Sequence, residues 1–239
     1  MNSCFRTPQK LYQLKVDKFV CNKFGIAEFL VSAIDNNNSF QKLKVLDVGC
    51  GVGPLGIYFA DQRCAQVVGV EINGIASYCC ANNIHKYKLS NKFNLINIDF
   101  SAFCNFDNNK FDLIASNPPI DNEIPLSTIE KYRNSSFIYI PDSKTFSYVT
   151  NSWHSTLGKD LLDYIFVYAS DHLYKNGRII IAFYAHNESD SFAIQKKGLS
   201  YGFSAMNVKV GKTTSESIGI KTAKQDLVSV ICIIFKKKD

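Results

Sequence analysis

The sequence predicts an α/β domain of the doubly wound kind: a seven-stranded, mostly parallel sheet with helices on both faces and an antiparallel last strand. Three observations point there. Apolar segments suited to strands alternate along the chain with segments of helical period. The first of these strands, residues 44–48, runs into Gly49, Gly51 and Gly53 at alternate positions, and Pro54, a favourable first-turn residue, then opens a helical stretch. At 239 residues, 46% hydrophobic and 20% charged, the chain can bury one full core and has the composition of an ordinary soluble domain.

Taken in order, strands are expected at 44–48, 66–70, 93–98, 111–116, 178–184, 203–209 and 227–235, each a short apolar or alternating run bounded by polar or turn-forming residues. Helices are expected at 27–33, 55–61, 74–86, 159–174 and 189–197. In the fourth of these, Leu161, Leu162, Ile165, Phe166 and Ala169 form one apolar stripe, which reads as core. The loop between the last two strands is too short for a crossover helix, so they should pair antiparallel. Residues 1–40 are expected to be an N-terminal helical extension or cap. Residues 41–239 form the main domain, with 121–156 a polar, turn-rich insertion.

The glycine loop is a ligand-site signal, because residues without Cβ let the backbone come close to a bound molecule. A dinucleotide loop would carry a third glycine where Pro54 stands, and a helix N-terminus would receive its pyrophosphate. Asp47, two residues before the first glycine, would repel a pyrophosphate and attract a cation. The run V-L-D-V-G-C-G-V-G-P-L-G closely resembles motif I of the class I methyltransferases that use S-adenosylmethionine (SAM), a cation without phosphate. The resemblance implies a Rossmann-like methyltransferase sheet, with SAM held by Asp47, Gly49, Cys50, Gly51 and Gly53 and S-adenosylhomocysteine as product. Glu71, about twenty residues beyond the glycines at the end of a short apolar strand, is then the ribose-binding acid, with Ile72 beside it. Asp99 and Phe100, after the third strand, would meet the adenine amino group and ring. Each acid taken alone would pass for a solvated strand-end residue.

Asn117-Pro118-Pro119-Ile120, at the end of the fourth strand, resembles the N-P-P-aromatic motif of the small-domain N-methyltransferases, which modify adenine, guanine or protein glutamine. Two prolines fix the backbone after Asn117 and leave the preceding carbonyls without an easy local partner. The Asn117 side chain and the Pro118 carbonyl would accept the two hydrogens of an amine or amide and aim its lone pair at the methyl group; Asn117 also borders the SAM site. Ile120 departs from the family pattern, in which a Tyr or Phe stacks on the acceptor. Tyr139, Tyr148 or Trp153 of the insertion could supply that stacking. Glu28 matches loosely an acidic element lying over the SAM pocket in relatives that modify tRNA adenine. The Gly158-Lys159-Asp160 segment resembles one that follows the insertion in glutamine methyltransferases, without its second glycine.

The net charge of +6 suits RNA or DNA and equally a lysine-rich solvated surface. Eight cysteines, with no C-x-x-C pair and no metal-ligand spacing, read as reduced thiols of a cytoplasmic protein, and no metal is expected. No signal peptide is legible, and the longest apolar run, 227–235, is too short to cross a bilayer. The sequence thus predicts a SAM-dependent N-methyltransferase acting on a nucleic-acid base or a protein glutamine. The alternatives are a small-molecule N-methyltransferase and a non-catalytic scaffold of the same fold.

Overall fold

In residues 44–48 the side chains of Val45 and Asp47 point to one face of the strand, and those of Leu46 and Val48 to the other. The strand is buried on both sides because helices cover both faces. The computed structural model describes residues 1–17, 20, 23–34, 40–63, 65–118, 159–185, 188–214 and 227–238. Among them the order is β1 (Asn2–Arg6), β2 (Leu11–Lys15), α1 (Gly25–Ile34), β3 (Lys44–Val48), α2 (Pro54–Gln62), β4 (Gln66–Val70), α3 (Gly74–Lys86), β5 (Phe93–Ile96), α4 (Phe100–Phe106), β6 (Phe111–Ser116), α5 (Lys159–His172), β7 (Leu173–Ala185), α6 (Glu188–Ser200), β8 (Phe203–Thr214) and β9 (Leu227–Lys237).

Seven strands form one sheet in the order β5-β4-β3-β6-β7-β9-β8. The first five are parallel, and β9 runs antiparallel to both β7 and β8. This is the predicted doubly wound architecture with its antiparallel last strand. Helices α1 to α3 contribute to the core on one face and α4 to α6 to the core on the other. The α5 stripe of Leu161, Leu162, Ile165, Phe166 and Ala169 is buried as expected.

The N-terminal region corrects the sequence reading. Instead of a helical extension, the chain opens with an antiparallel hairpin, β1–β2, and among the described residues of 1–40 the α-helix is Gly25–Ile34. Phe5, Tyr12 and Leu14 are fully buried against the α1–α3 side of the domain, which provides the apolar cover that a two-stranded hairpin lacks alone. The hairpin is pinned to the end of α2: Tyr12 Oη and Lys10 Nζ donate to Asp61 Oδ2 at 2.6 and 2.7 Å. Helix α4 is a second addition. Asp99 caps it, and Phe100 and Phe103 hold it to the core, which ends the preceding strand at Ile96 rather than residue 98.

Candidate functional site

Parallel register brings the predicted residues into one layer. Val48 pairs with Val70 and with Ser116, Val70 with Ile96, and Ser116 with Ile181. The next residues of the first four strands, Gly49, Glu71, Asn97 and Asn117, therefore leave the sheet side by side at its carboxyl edge, where open α/β sheets bind ligands. The Ser116 hydroxyl donates to the Val48 carbonyl at 2.8 Å in the core, fixing the end of β6 against the start of the glycine loop.

Gly49, Gly51 and Gly53 have φ values of 68°, 56° and 91°, in the left-handed region that suits glycine. This coils the loop so that its donors turn inward. The amides of Gly49 and Cys50 both donate to the Val70 carbonyl, at 2.9 and 3.1 Å, and Gly53 N donates to the Cys50 carbonyl at 2.9 Å. Gly51 N donates to Glu71 Oε2 at 2.7 Å. A pyrophosphate loop needs such N–H groups for its ligand; here they are engaged within the protein, and the loop is unlike an anion cradle. A Cβ built on Gly49 or Gly51 meets nothing within 4 Å, whereas one on Gly53 lies 2.8 Å from Cys80 Sγ. The first two glycines thus border open space and the third is packed.

Asp47 does not face outward, as a simple attraction for a cation would suggest. It is 1% exposed, and its Oδ2 accepts the Gly56 amide at 2.9 Å, in the first turn of α2. Burial pushes its carboxyl up to about 7, against the pull of the Gly56 amide and with added repulsion from Glu71. Glu71 is also buried and raised by burial, although it accepts from Asn73 N at 2.8 Å as well as from Gly51. Two neighbouring buried carboxylates, each costly to ionise, make a site whose electrostatics improve when a cation enters. The Glu71 carboxylate also takes the backbone amide of Ile72, a third donor that holds the acid in place.

Asp99 Oδ1 accepts the Ser101 amide at 2.8 Å and the Ser101 hydroxyl, so the acid expected to read adenine is also the cap of α4. Phe100 is 4% exposed and packs its ring on Phe103 and Tyr168, so most of its surface serves the core. Ile72 is half-buried and its carbonyl accepts from Asn97. Cys50 is buried, with its thiol against Cys80. Asn117 is half-buried and Pro118 buried. Glu28 accepts the Arg6 amide at 2.7 Å, a tie between α1 and the hairpin rather than a contact with the glycine loop. Pro119, Ile120, Tyr139, Tyr148, Trp153, Gly158 and the expected 121–156 insertion lie outside the described residues.

Two asparagines that sequence reasoning missed organise the site. Asn97 Nδ2 donates to the carbonyls of Glu71 and Ile72 at 2.6 and 3.2 Å, setting the path of the chain around Glu71. Asn83, fully buried on α3, donates to the Val52 carbonyl at 3.0 Å and forms a two-way pair with the backbone of Lys15. It joins hairpin, helix and glycine loop. Asparagine side chains carry no periodic signal, so nothing in a lone sequence marks these two.

Residues 23–131 match the family described as Methyltransferase small domain. A tRNA1(Val) (adenine(37)-N6)-methyltransferase of Bacteroides fragilis is 34% identical over 77 residues, 32% of this chain and 32% of that protein; the match therefore spans about a third of the relative's length. Among solved structures, a candidate RNA methyltransferase from Pyrococcus horikoshii superposes with a TM-score of 0.59 at 16% identity, covering 94% of this chain and 91% of that one. A ribosomal protein L11 methylase from Lactobacillus delbrueckii subsp. bulgaricus gives 0.56 at 15% identity, covering 92% and 82%. Residues 23–131 are thus similar to a methyltransferase small domain, and the sheet shares the Rossmann-like fold of these solved structures. Among the described residues no helix is long and apolar enough to cross a membrane, and no cluster of three metal-ligating side chains is present.

Proposed function

We propose that this chain is a SAM-dependent N-methyltransferase whose acceptor is the exocyclic amine of an RNA base, adenine N6 being the chemistry of the relatives. The observation that carries the reading is the single layer in which Gly49, Glu71 and Asn117 leave three adjacent parallel strands. It sets a cation-favouring cofactor floor beside an amide-bearing corner. The open face of Gly49 and Gly51, the inward-turned loop donors and the buried acid pair fit SAM better than a phosphate-bearing cofactor.

Bound SAM would supply a methyl group that is already strongly electrophilic. The chain's own residues then have a mainly positional task, because placing a nitrogen in line within about 3 to 3.5 Å provides much of the rate. Glu71 would receive the ribose hydroxyls, and the free oxygen of Asp99 an adenine amino hydrogen. The Asn117 side-chain oxygen and the Pro118 carbonyl would take the two hydrogens of the acceptor amine, leaving its lone pair directed at the methyl carbon. The proton released after transfer passes to water, and no general base is required.

RNA is favoured over the other acceptors by the named activity of the Bacteroides relative and by the chain's net charge of +6. The test is transfer of labelled methyl from SAM into cell extract separated into RNA, DNA, protein and small molecules. Label in RNA, lost in Asn117→Ala while SAM affinity is kept, is the expected result. Label in protein or in small molecules would overturn the RNA assignment, and label in none despite SAM binding would favour the scaffold reading.

A further inference from the structure

The charge of the molecule is concentrated. Residues 1–17 and 74–92 carry six of the 27 Lys and Arg residues and one of the 21 acids, so 36 residues hold +5 of the chain's +6 and the other 203 hold +1. These two stretches are not separate in space. Strand β2 runs along α3: Lys15 is tied to Asn83, and two residues earlier the Gln13 amide donates to Tyr87 Oη at 2.7 Å while Lys86 Nζ donates to the Gln13 carbonyl at 2.7 Å. The seam is made by hydrogen bonds between elements already packed into the core.

Cations and rings alternate along it. Lys15 Nζ sits 4.6 Å from the Tyr78 ring centroid, Lys86 Nζ 5.7 Å from that of Tyr87, and Lys10 Nζ 4.8 Å from that of Tyr12. Tyr78 is 63% exposed, so with Lys15 over one face its ring still presents a large surface to solvent. Lys88 follows α3 and is also exposed. The acids in reach are few: Asp61 binds Lys10, and Asp17 ends the hairpin segment. Helix α3 starts at Asn73, the N-cap that donates to Glu71. At about 1.5 Å per residue, Tyr78 lies roughly 8 Å and Lys86 roughly 20 Å along the helix from the ribose-side acid.

We infer that the β2–α3 seam is an RNA-binding ledge, on which Tyr78 stacks an unpaired base and Lys15, Lys86 and Lys88 follow the phosphates leading away from the transfer site. Six basic residues against one acid in these two stretches suit a polyanion, and an exposed ring beside them suits single-stranded RNA, whose bases are free to stack. The inference rests on the RNA reading above and extends it to residues that touch neither cofactor nor acceptor.

Binding of a fluorescein-labelled RNA stem-loop with an unpaired purine loop, measured by anisotropy over a range of salt, tests it without needing transfer. Tyr78→Ala should weaken binding about tenfold with the salt slope unchanged, since one stacked base contributes about 1 to 3 kcal/mol. Lys15→Gln or Lys88→Gln should lower the slope by about 0.7 to 0.9, the loss of one phosphate contact. SAM affinity and Tm should match the parent in all three, which shows that they are folded. Wild-type affinity and slope in all three variants would overturn the ledge, while RNA methylation by the parent would leave the proposed function standing. Conversely, weakened binding by the variants of a parent that methylates no RNA would support the ledge and reject the acceptor assignment.

Discussion

Asp47 shows how burial changes what a residue is for. As a sequence feature it is a negative charge beside a glycine loop; in the structure its oxygen holds the first turn of α2 and its acidity is weakened to about 7. Between about pH 4 and pH 7 the folded state therefore binds a proton that the unfolded chain has released, so stability falls as pH rises through that window, by at most about 1.4 kcal/mol per pH unit. Asp47→Asn keeps an acceptor for the Gly56 amide and removes the titration. Its unfolding free energy should be flatter across this window than that of the parent, as read by urea denaturation at several pH values. A parent whose stability rises from pH 5 to 7, with the variant following it, would contradict this account.

Gly53 makes a second point at the same scale. Its φ of 91° costs an L-residue about 1 to 2 kcal/mol, and an added Cβ would lie 2.8 Å from Cys80 Sγ. Gly53→Ala should lose about 2 kcal/mol or more. In a Cys80→Ala background the same change should cost less, because the contact is gone and only the backbone strain remains. Additive losses in the double-mutant cycle would mean that the two sites are not in contact.

At the scale of elements, how readily each can be read in the sequence follows its burial. Strands β3, β4 and β6 are apolar on both faces and stand out as runs such as V-L-D-V and D-L-I-A. The glycines and the acids after them are legible because their spacing is fixed by the strand–turn–helix unit. The hairpin is not, because β1 buries fully only Phe5 of its five residues and its pattern depends on a surface built much later in the chain. Helix α4, seven residues with two buried rings, is too short for a periodic signal. Asn83 is the hinge between the legible and the illegible parts. Asn83→Ala would strand the Lys15 N–H and the Lys15 and Val52 carbonyls, and at about 1 to 3 kcal/mol for a buried unsatisfied group the loss should be about 3 kcal/mol. SAM affinity should fall with it, since the glycine loop loses its anchor; calorimetry showing full affinity would place the loop's support elsewhere.

Over the whole molecule, the sheet sets a cost at its carboxyl edge that a ligand can relieve. Asp47 and Glu71 are held close by strands whose register is fixed by the buried core, so the domain cannot separate them without breaking β3–β4 pairing. Their raised proton affinities are therefore a property of the fold, and a cation bound against them favours their ionised forms. Binding of SAM should release protons below about pH 7, and its affinity should rise with pH until the pair is ionised. Because a ligand at one hundred times its Kd adds about 2.7 kcal/mol to stability, the Tm shift is readily measured. That shift at a fixed SAM concentration should be larger at about pH 7 than at about pH 5, and in Asp47→Asn the difference between the two should shrink. If the parent's shift is the same at both, the carboxylates are not coupled to the cofactor's charge, and the glycine loop would be binding SAM through shape alone.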